Sequence, residues 1–123
     1  MATDTFTDRQ LTLTVEDDGH TIRVEWTGRS IARDPGGFIA PILSKALAHS
    51  TKSDRPLVLD FTRIEYMNSS TITPIIRILD EAKRKGSTVT VLFKQGLKWQ
   101  ELSFSALEIF QTDDKRIEIR GVD

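Results

Sequence analysis

The sequence predicts a single α/β domain in which a mixed, mostly parallel β-sheet has helices packed on it. The length of 123 residues, with 38% hydrophobic and 28% charged residues, suits one globular domain with one core. Along most of the chain, short strand patterns alternate with helical patterns, which indicates parallel pairing through crossover helices. The nearly continuous apolar run "PLVLDF" is typical of a strand covered on both faces.

The first residues, "MATDTFTDRQ", are polar and acidic and predict a flexible tail over residues 1–8, with the folded domain spanning 9–123. The stretch "LTLTVEDDGHTIRVEWTG" alternates apolar and polar residues on both sides of a polar turn, which predicts a β-hairpin. We expect Trp26, on its second strand, to lie in the core. "RSIARDPGG" is typical of a loop because it is rich in turn-forming residues.

Apolar residues then recur at helical spacing and predict a helix from about Gly37 to His49. "PLVLDF" follows as a strand. A second helix begins in the Asn-Ser-Ser-Thr turn at residues 68–71 and ends at Gly86 after a basic last turn. Pro74 has no backbone N–H and belongs in the first turn of a helix, so we expect the helix to start no earlier than about Ser70.

The remaining segments predict a strand, a helix and a final strand: "STVTVLF", "LKWQELSFSALEIF" and "RIEIRGV". The apolar residues of this last helix fall on one predicted core-packing stripe: Trp99, Leu102, Ala106 and Phe110, with Leu107 beside it.

Composition excludes several classes of function. The formal net charge of −1 leaves no basic footprint for nucleic acid. Without cysteine, the chain cannot use disulfides, thiol catalysis or cysteine-type zinc sites. Phosphate-loop, dinucleotide-binding and nucleophile-elbow motifs are missing, so the sequence shows none of the common catalytic signatures, and we expect no cofactor and no metal site. No apolar run reaches membrane-spanning length and no signal peptide is visible, which points to the cytoplasm.

Three isolated polar residues favour ordinary structural roles. His20 and His49 have no metal-ligand partner at a suitable spacing and are expected at the surface. Asp60 ends a strand, but no second carboxylate is placed to share acid–base chemistry with it. We therefore expect Asp60 to make a hydrogen bond in a turn or loop.

The Asn-Ser-Ser-Thr turn leaves two interpretations open. Ser and Thr are favoured helix caps, because their side-chain oxygens accept from free backbone N–H groups. Capping does not require so many hydroxyl groups, however, and residues 68–71 are expected to be exposed at the tip of the helix.

The segment "PLVLDFTRIEYMNSSTITPIIRILDEAKRKGSTVTVLF" resembles the core of the STAS domain, the family of bacterial anti-sigma factor antagonists. The resemblance extends over roughly residues 9–122, and the predicted order of elements is also that of the family. The matching positions are Leu59-Asp60 at a strand end, Tyr66-Met67 and Ser69-Ser70 at the turn, Lys83 to Gly86 at the helix end, and Leu102, Ala106 and Leu107 further on. Asn68 stands where the family usually has Asp, and Thr71 where it has Gly.

The resemblance implies a non-enzymatic signalling protein that works by partner switching. The unphosphorylated form would bind a serine kinase that acts as an anti-sigma factor, and phosphorylation would release it. A phosphatase of the PP2C type would restore the binding form. By position the phosphoacceptor is Ser69, with Ser70 as the fallback, and the partner-binding residues are Asn68, Ser69, Ser70 and Thr71.

Asp34 completes the expected partner-binding set. Kinase-binding members of the family tend to carry an acidic residue a few places after the glycine that ends the second strand. That position is Ile31 here, counted from Gly28, and Asp34 is the nearest acidic residue.

Other functions stay open at this point. The chain could be a STAS-type adaptor that binds a transporter ATPase or another complex constitutively, without phosphorylation of Ser69. A small-ligand or nucleotide sensor and an enzyme in its own right are further alternatives. The sequence also leaves open a weak homodimer.

Overall fold

The computed structural model describes residues 2–123, which form seven strands, three α-helices and one 3-10 helix. The strands are β1 (Ala2–Asp8), β2 (Leu11–Asp17), β3 (Ile22–Ser30), β4 (Leu57–Asp60), β5 (Ile64–Met67), β6 (Val89–Lys94) and β7 (Ile117–Val122). The helices are α1 (Gly36–Ser53), α2 (Ser69–Lys85) and α3 (Lys98–Ser105), and the 3-10 helix Ala106–Phe110 directly follows α3.

All strands join one mixed sheet in the order β1-β2-β3-β4-β6-β7, and β5 pairs with β3 beyond the end of β4. β1, β2 and β3 pair antiparallel, whereas the other pairings are parallel. Parallel neighbours need crossover connections, and α1, α2 and α3 lie within those connections. The predicted class of a mixed, mostly parallel sheet with helices on it is confirmed.

The core lies on one face of the sheet. The paired positions Val24, Leu59, Val91 and Ile119 share this face and are buried. Aromatic rings fill the space under α3: Trp26 lies 4.5 Å from Phe61, and Phe104 lies 4.8 Å from Phe61 and 5.7 Å from Phe93, measured between centroids. The prediction that Trp26 lies in the core is confirmed, since its side chain is fully buried.

The opposite face of the sheet is polar and half-buried, so the expectation that "PLVLDF" is covered on both faces is wrong. Arg23, Val58, Thr90 and Glu118 are paired neighbours there and are only partly buried. Within residues 2–123, the helices pack on the face that carries the core. The sequence of β4 shows no alternation because Val58, which lies on the open face, is itself apolar.

A strand replaces the tail expected over residues 1–8. Ala2–Asp8 pair with β2 along their whole length, from Ala2 opposite Asp17 to Asp8 opposite Leu11. Threonine is favoured in strands, and β2 pairs with the backbone groups on the inner edge of β1. The polar composition misled the prediction because almost every residue of β1 is exposed. Residue 1 lies outside the described residues.

The last helix packs on a different stripe from the predicted one. Leu102 is 66% exposed and Ala106 is also exposed, whereas Gln100, Phe104 and Leu107 are buried. The spacing of apolar residues does not reveal this stripe, because its first buried residue is the polar Gln100. Trp99 is half-buried and packs against the core, as expected.

Candidate functional site

The Asn-Ser-Ser-Thr turn joins the end of β5 to the start of α2. Asn68 is the N-cap of α2, with φ −79° and ψ 169°, and its side-chain carbonyl accepts from the Thr71 backbone N–H at 3.2 Å. Such a cap satisfies one of the N–H groups that the first turn of a helix leaves without an intrahelical partner. Ser69 and Ser70 occupy the first two positions of the helix, and both are exposed.

A ring of hydrogen bonds holds this turn against the end of β3. Thr71 Oγ1 lies 2.7 Å from Asn68 Oδ1 and 2.6 Å from Ser30 Oγ. The Asn68 side-chain amide donates to the Ala32 carbonyl at 2.8 Å, and its backbone N–H donates to the Ser30 carbonyl at 3.0 Å. Ser30 is 2% exposed and Thr71 is fully buried. The serine turn and the start of the loop after β3 are therefore one hydrogen-bonded unit.

The structure exposes Ser69 and Ser70 as expected but corrects the expectation for Thr71. Thr71 cannot contact a partner directly, because its side chain fills the space between α2 and β3. Asn68 is half-buried and uses both ends of its amide inside the molecule.

The helix also starts one residue earlier than predicted, at Ser69. Pro74 therefore lies in the second turn, where its missing N–H leaves the Ser70 carbonyl without its usual donor. The missing hydrogen bond lies at the exposed N-terminal end of the helix.

Asp34 lies on the exposed loop between β3 and α1, close to the serine turn. Together with Arg33, Ser70, Thr73 and Arg77, it lines a shallow concavity of about 450 Å³ between the N-terminal ends of α1 and α2. The structure thus brings Asp34 to the same surface as Ser70. Ser69 does not line this concavity.

The sequence identifies Tyr66 and Ile31 as positions of the family pattern but does not predict that both side chains are exposed near the turn. Ile31 is 41% exposed and follows the buried Ser30, and Tyr66 is 44% exposed and precedes the turn by two residues. The Arg29 guanidinium lies 5.5 Å from the centre of the Tyr66 ring, within the range of a cation–π interaction. Tyr66 could have been found from its position on a short strand that leads into the turn. Ser30 carries no local signal, because its partner Thr71 is 41 residues away in sequence.

The charge distribution of α2 suits an anion at its start. The first turn has no acidic residue, and the last turn carries Lys83, Arg84 and Lys85. Aligned peptide dipoles and free N–H groups make a helix N-terminus favourable for negative charge. A phosphate on Ser69 or Ser70 is therefore compatible with the folded helix.

Asp60 makes the local hydrogen bonds expected of it. It accepts from the Thr62 backbone N–H at 2.9 Å and from Thr62 Oγ1 at 2.6 Å, and it also pairs with Arg23. Burial raises the pKa of Asp60, but the bonds from Thr62 and the charge of Arg23 outweigh it, so that the pKa falls below its usual value.

The histidines lie outside the site. His20 is exposed beside the β2–β3 turn, and His49 is an exposed residue of α1 that contacts Asp17 at 2.9 Å. Among residues 2–123, no group of histidine, aspartate and glutamate side chains is arranged to hold a metal ion. None of the helices in this range combines the length and hydropathy needed to span a bilayer.

A sequence model of the family described as "SiaC family regulatory phosphoprotein" matches residues 7–96, which include the serine turn. Comparison with curated protein sequences found no match.

Solved structures share the fold. An anti-sigma factor antagonist from Mycobacterium paratuberculosis superposes with a TM-score of 0.61 at 16% identity, covering 86% of this chain and 90% of that one. SiaC of Pseudomonas aeruginosa gives a TM-score of 0.65 at 21% identity, covering 100% of this chain and 98% of that one. A third match is a chain in the crystal structure of the diguanylate cyclase SiaD in complex with its activator SiaC, from the same organism. It gives a TM-score of 0.57 at 22% identity, covering 94% of this chain and 98% of that one.

Proposed function

This chain belongs to the SiaC family of regulatory phosphoproteins, and on that premise we propose that it is a binding protein switched by phosphorylation of Ser69. The observation that carries the proposal is the position of Ser69: an exposed hydroxyl at the first residue of α2, on a turn that buried hydrogen bonds hold in place. The family consists of non-enzymatic regulators, which agrees with the function expected from the anti-sigma factor antagonist resemblance.

The fold can accept the phosphate without rearranging. A phosphoserine carries about −1.5 to −2 charges at neutral pH. The first turn of α2 has no carboxylate to repel that charge, and the helix dipole favours it by about 0.3–1 kcal/mol. The Ser69 side chain takes no part in the hydrogen bonds that cap the helix, so its modification leaves the cap intact.

The effect of the phosphate would fall on the partner. A partner surface that fits a neutral hydroxyl would have to enclose a dianion, and an uncompensated charge in a closed interface costs several kcal/mol. Since about 1.4 kcal/mol corresponds to tenfold in affinity, one phosphate can change binding by orders of magnitude while the backbone stays in place.

Two features favour Ser69 over Ser70 as the acceptor. Ser69 holds the position of the phosphoacceptor in the family that the sequence resembles. Ser70 instead lines the concavity with Arg33, Arg77 and Asp34. The two guanidinium groups there outnumber the one carboxylate and could neutralise part of a phosphate charge. A phosphate on Ser70 would therefore repel a partner less strongly than one on Ser69.

The partners are proposed by class. A serine kinase would bind and modify the unphosphorylated form, and a PP2C-type phosphatase would restore it, as the anti-sigma factor antagonist resemblance implies. The likeness to SiaC, solved in complex with the diguanylate cyclase that it activates, supports an effector enzyme of that class. We propose that the exposed residues Ser69, Ser70 and Asp34, together with the half-buried Asn68, form the contact surface, without Thr71.

Phosphopeptide mass spectrometry of the protein purified from its native host tests this proposal, alongside Ser69→Ala and Ser70→Ala variants. We expect a phosphate on Ser69 that persists in Ser70→Ala and disappears in Ser69→Ala. No phosphate under any growth condition, together with stable retention of the same partner by all three proteins, would instead indicate a constitutive adaptor.

A further inference from the structure

We propose that the buried hydroxyl pair Ser30–Thr71 is a positioning device that fixes the loop 31–35 against the serine turn. The loop and the turn would then meet a partner as one rigid surface. The hydroxyl oxygens are 2.6 Å apart and belong to residues separated by 41 positions in the sequence. The role toward a partner rests on the proposed function, whereas the locking of the loop does not.

The donor and acceptor of each hydrogen bond in this device follow from the chemistry of the Asn68 side-chain amide. The Asn68 side-chain N–H donates to the Ala32 carbonyl, so the oxygen of the same amide faces Thr71 and can only accept. The Thr71 hydroxyl must therefore donate its one proton to Asn68. Toward Ser30 it can only accept, so the Ser30 hydroxyl donates to Thr71.

These bonds close a ring. The ring runs from Ser30 through Thr71 and Asn68 to Ala32, two residues beyond its starting point. Within the described residues, the bond from Asn68 is the hydrogen bond that holds the segment Ile31–Asp34. The loop cannot move away from the serine turn without breaking the bond between the Asn68 amide and the Ala32 carbonyl, which is partly shielded from water.

A fixed loop matters for binding because a partner that contacts both Ser69 and the loop would otherwise have to order the loop itself. Ordering of loops and side chains on association opposes binding, and a surface that is already rigid avoids that loss. Thr71 would therefore affect the recognition of Ser69 although its own side chain is fully buried.

The chain offers a matched control at the opposite ends of α1 and α2. Thr51 Oγ1 and Ser87 Oγ form a second hydroxyl pair at 2.8 Å, and Ser87 is 7% exposed. Thr51→Val also removes a bond between two hydroxyl groups, here between the exposed Thr51 of α1 and the segment that follows α2, far from the serine turn. An effect specific to the proposed device should be missing in this variant.

Amide hydrogen exchange measured by NMR tests whether the hydroxyl pair holds the turn, and with it the Asn68 side chain that bonds to the loop, because the Asn68 backbone N–H donates to the Ser30 carbonyl. We expect Thr71→Val and Ser30→Ala each to accelerate exchange of the Asn68 amide about tenfold, since each leaves a buried group unpaired. The double variant should exchange no faster than the faster single variant, and Thr71→Ser should stay close to wild type. Unchanged exchange at Asn68, or an equal acceleration in Thr51→Val, would overturn the proposal.

A second measurement separates positioning from simple stabilisation. In the native host, the phosphorylated fraction of Ser69 should fall several-fold in Thr71→Val and recover in Thr71→Ser, while Thr51→Val matches wild type. Wild-type phosphorylation of Thr71→Val would overturn the role in recognition. If wild-type protein carries no phosphate on Ser69, the proposed function fails, and the exchange data alone decide whether the pair locks the loop.

Discussion

The side chain of Asn68 both accepts and donates at the serine turn. Its oxygen receives the Thr71 backbone N–H and hydroxyl, and its nitrogen donates to the Ala32 carbonyl at 2.8 Å. Aspartate caps helices as well as asparagine does and could keep the first two bonds. At neutral pH it could not donate, and its second oxygen would face the Ala32 carbonyl.

We therefore expect Asn68→Asp to reduce the free energy of unfolding by about 1 kcal/mol, because the loss of a partly buried hydrogen bond outweighs a small gain from the helix dipole. Urea denaturation at pH 7 measures this difference. Ser70→Asp is the matched control: it adds the same charge at an exposed position of the same turn and should be neutral or slightly stabilising. A fully stable Asn68→Asp would show that the bond to Ala32 contributes little.

The same contacts explain why the chain departs from the anti-sigma factor antagonist pattern at two positions together. Asn68 replaces an aspartate and Thr71 replaces a glycine, and the two side chains bond to each other. A glycine at position 71 would lose the hydroxyl that links Asn68 to Ser30. The departures form one structural feature of this turn.

Asp60 makes the stability of the folded protein depend on pH in the acidic range. Because its pKa is lowered in the folded protein, its contribution is fully present above the unfolded value of about 3.9 and is lost as the pH falls through the folded value. Asp60→Asn should reduce the free energy of unfolding by about 2 kcal/mol at pH 7, a typical contribution of hydrogen bonds to charged groups. The difference from wild type should shrink below about pH 4.

Urea denaturation at pH 7 and at pH 3 checks this expectation. Asp80→Asn, which removes an exposed partner of Arg84 on α2, serves as the control and should change little at either pH. A stability difference for Asp60→Asn that is the same at both pH values would contradict the assigned role.

At the scale of the elements, Gln100 fixes α3 to the segment that leads into β5. Its side-chain N–H groups donate to the Phe61 and Ile64 carbonyls at 3.0 and 3.3 Å, and its oxygen accepts from the Lys94 backbone N–H at 2.7 Å. All three backbone groups lie at strand ends or in loops, where the sheet does not supply a partner. Gln100 is fully buried, so these bonds are shielded from water.

Gln100→Leu should reduce the free energy of unfolding by about 3 kcal/mol, because three hydrogen bonds to backbone groups are lost while the side-chain volume is nearly kept. The Phe61 carbonyl still accepts from the Ile64 backbone N–H at 3.3 Å, whereas the Lys94 N–H and the Ile64 carbonyl lose the partner that Gln100 supplies. The reverse exchange on the same helix, Leu102→Gln, is the control. Leu102 is 66% exposed, so its replacement should stay within about 0.5 kcal/mol of wild type. Thermal or urea denaturation measures the change in the free energy of unfolding for both variants. Equal changes in the two variants would refute the anchoring role of Gln100.

Elements with local signals could be predicted, and those defined by distant contacts could not. α2 has an apolar stripe, a basic last turn and Gly86 as its C-cap, with φ 68°, so its end was predicted well. β1 has no buried face, and its polar sequence gives no alternation to detect. At the site, the exposed serines followed from sequence, whereas the burial of Thr71 depends on Ser30, which only the tertiary structure brings near.

At the scale of the whole molecule, the sheet carries its helices on one face and presents the serine turn at one end of α2. Two loops separated in sequence meet there: the turn at residues 68–71 and the loop that holds Asp34. A charge added to Ser69 changes this surface without touching the core. The fold therefore supports a switch that acts on partner binding and leaves stability almost unchanged.

The most direct test compares the proteins that copurify from the native host with tagged wild type, Ser69→Glu and Ala48→Glu, quantified by mass spectrometry. Ala48 is exposed on α1, about three turns beyond the end of that helix that faces the serine turn, so its variant carries the same added charge away from the proposed contact surface. We expect a partner that is retained by wild type and Ala48→Glu and depleted at least about tenfold with Ser69→Glu, the effect of about 1.4 kcal/mol. Equal recovery of the same partners with all three proteins would contradict this expectation.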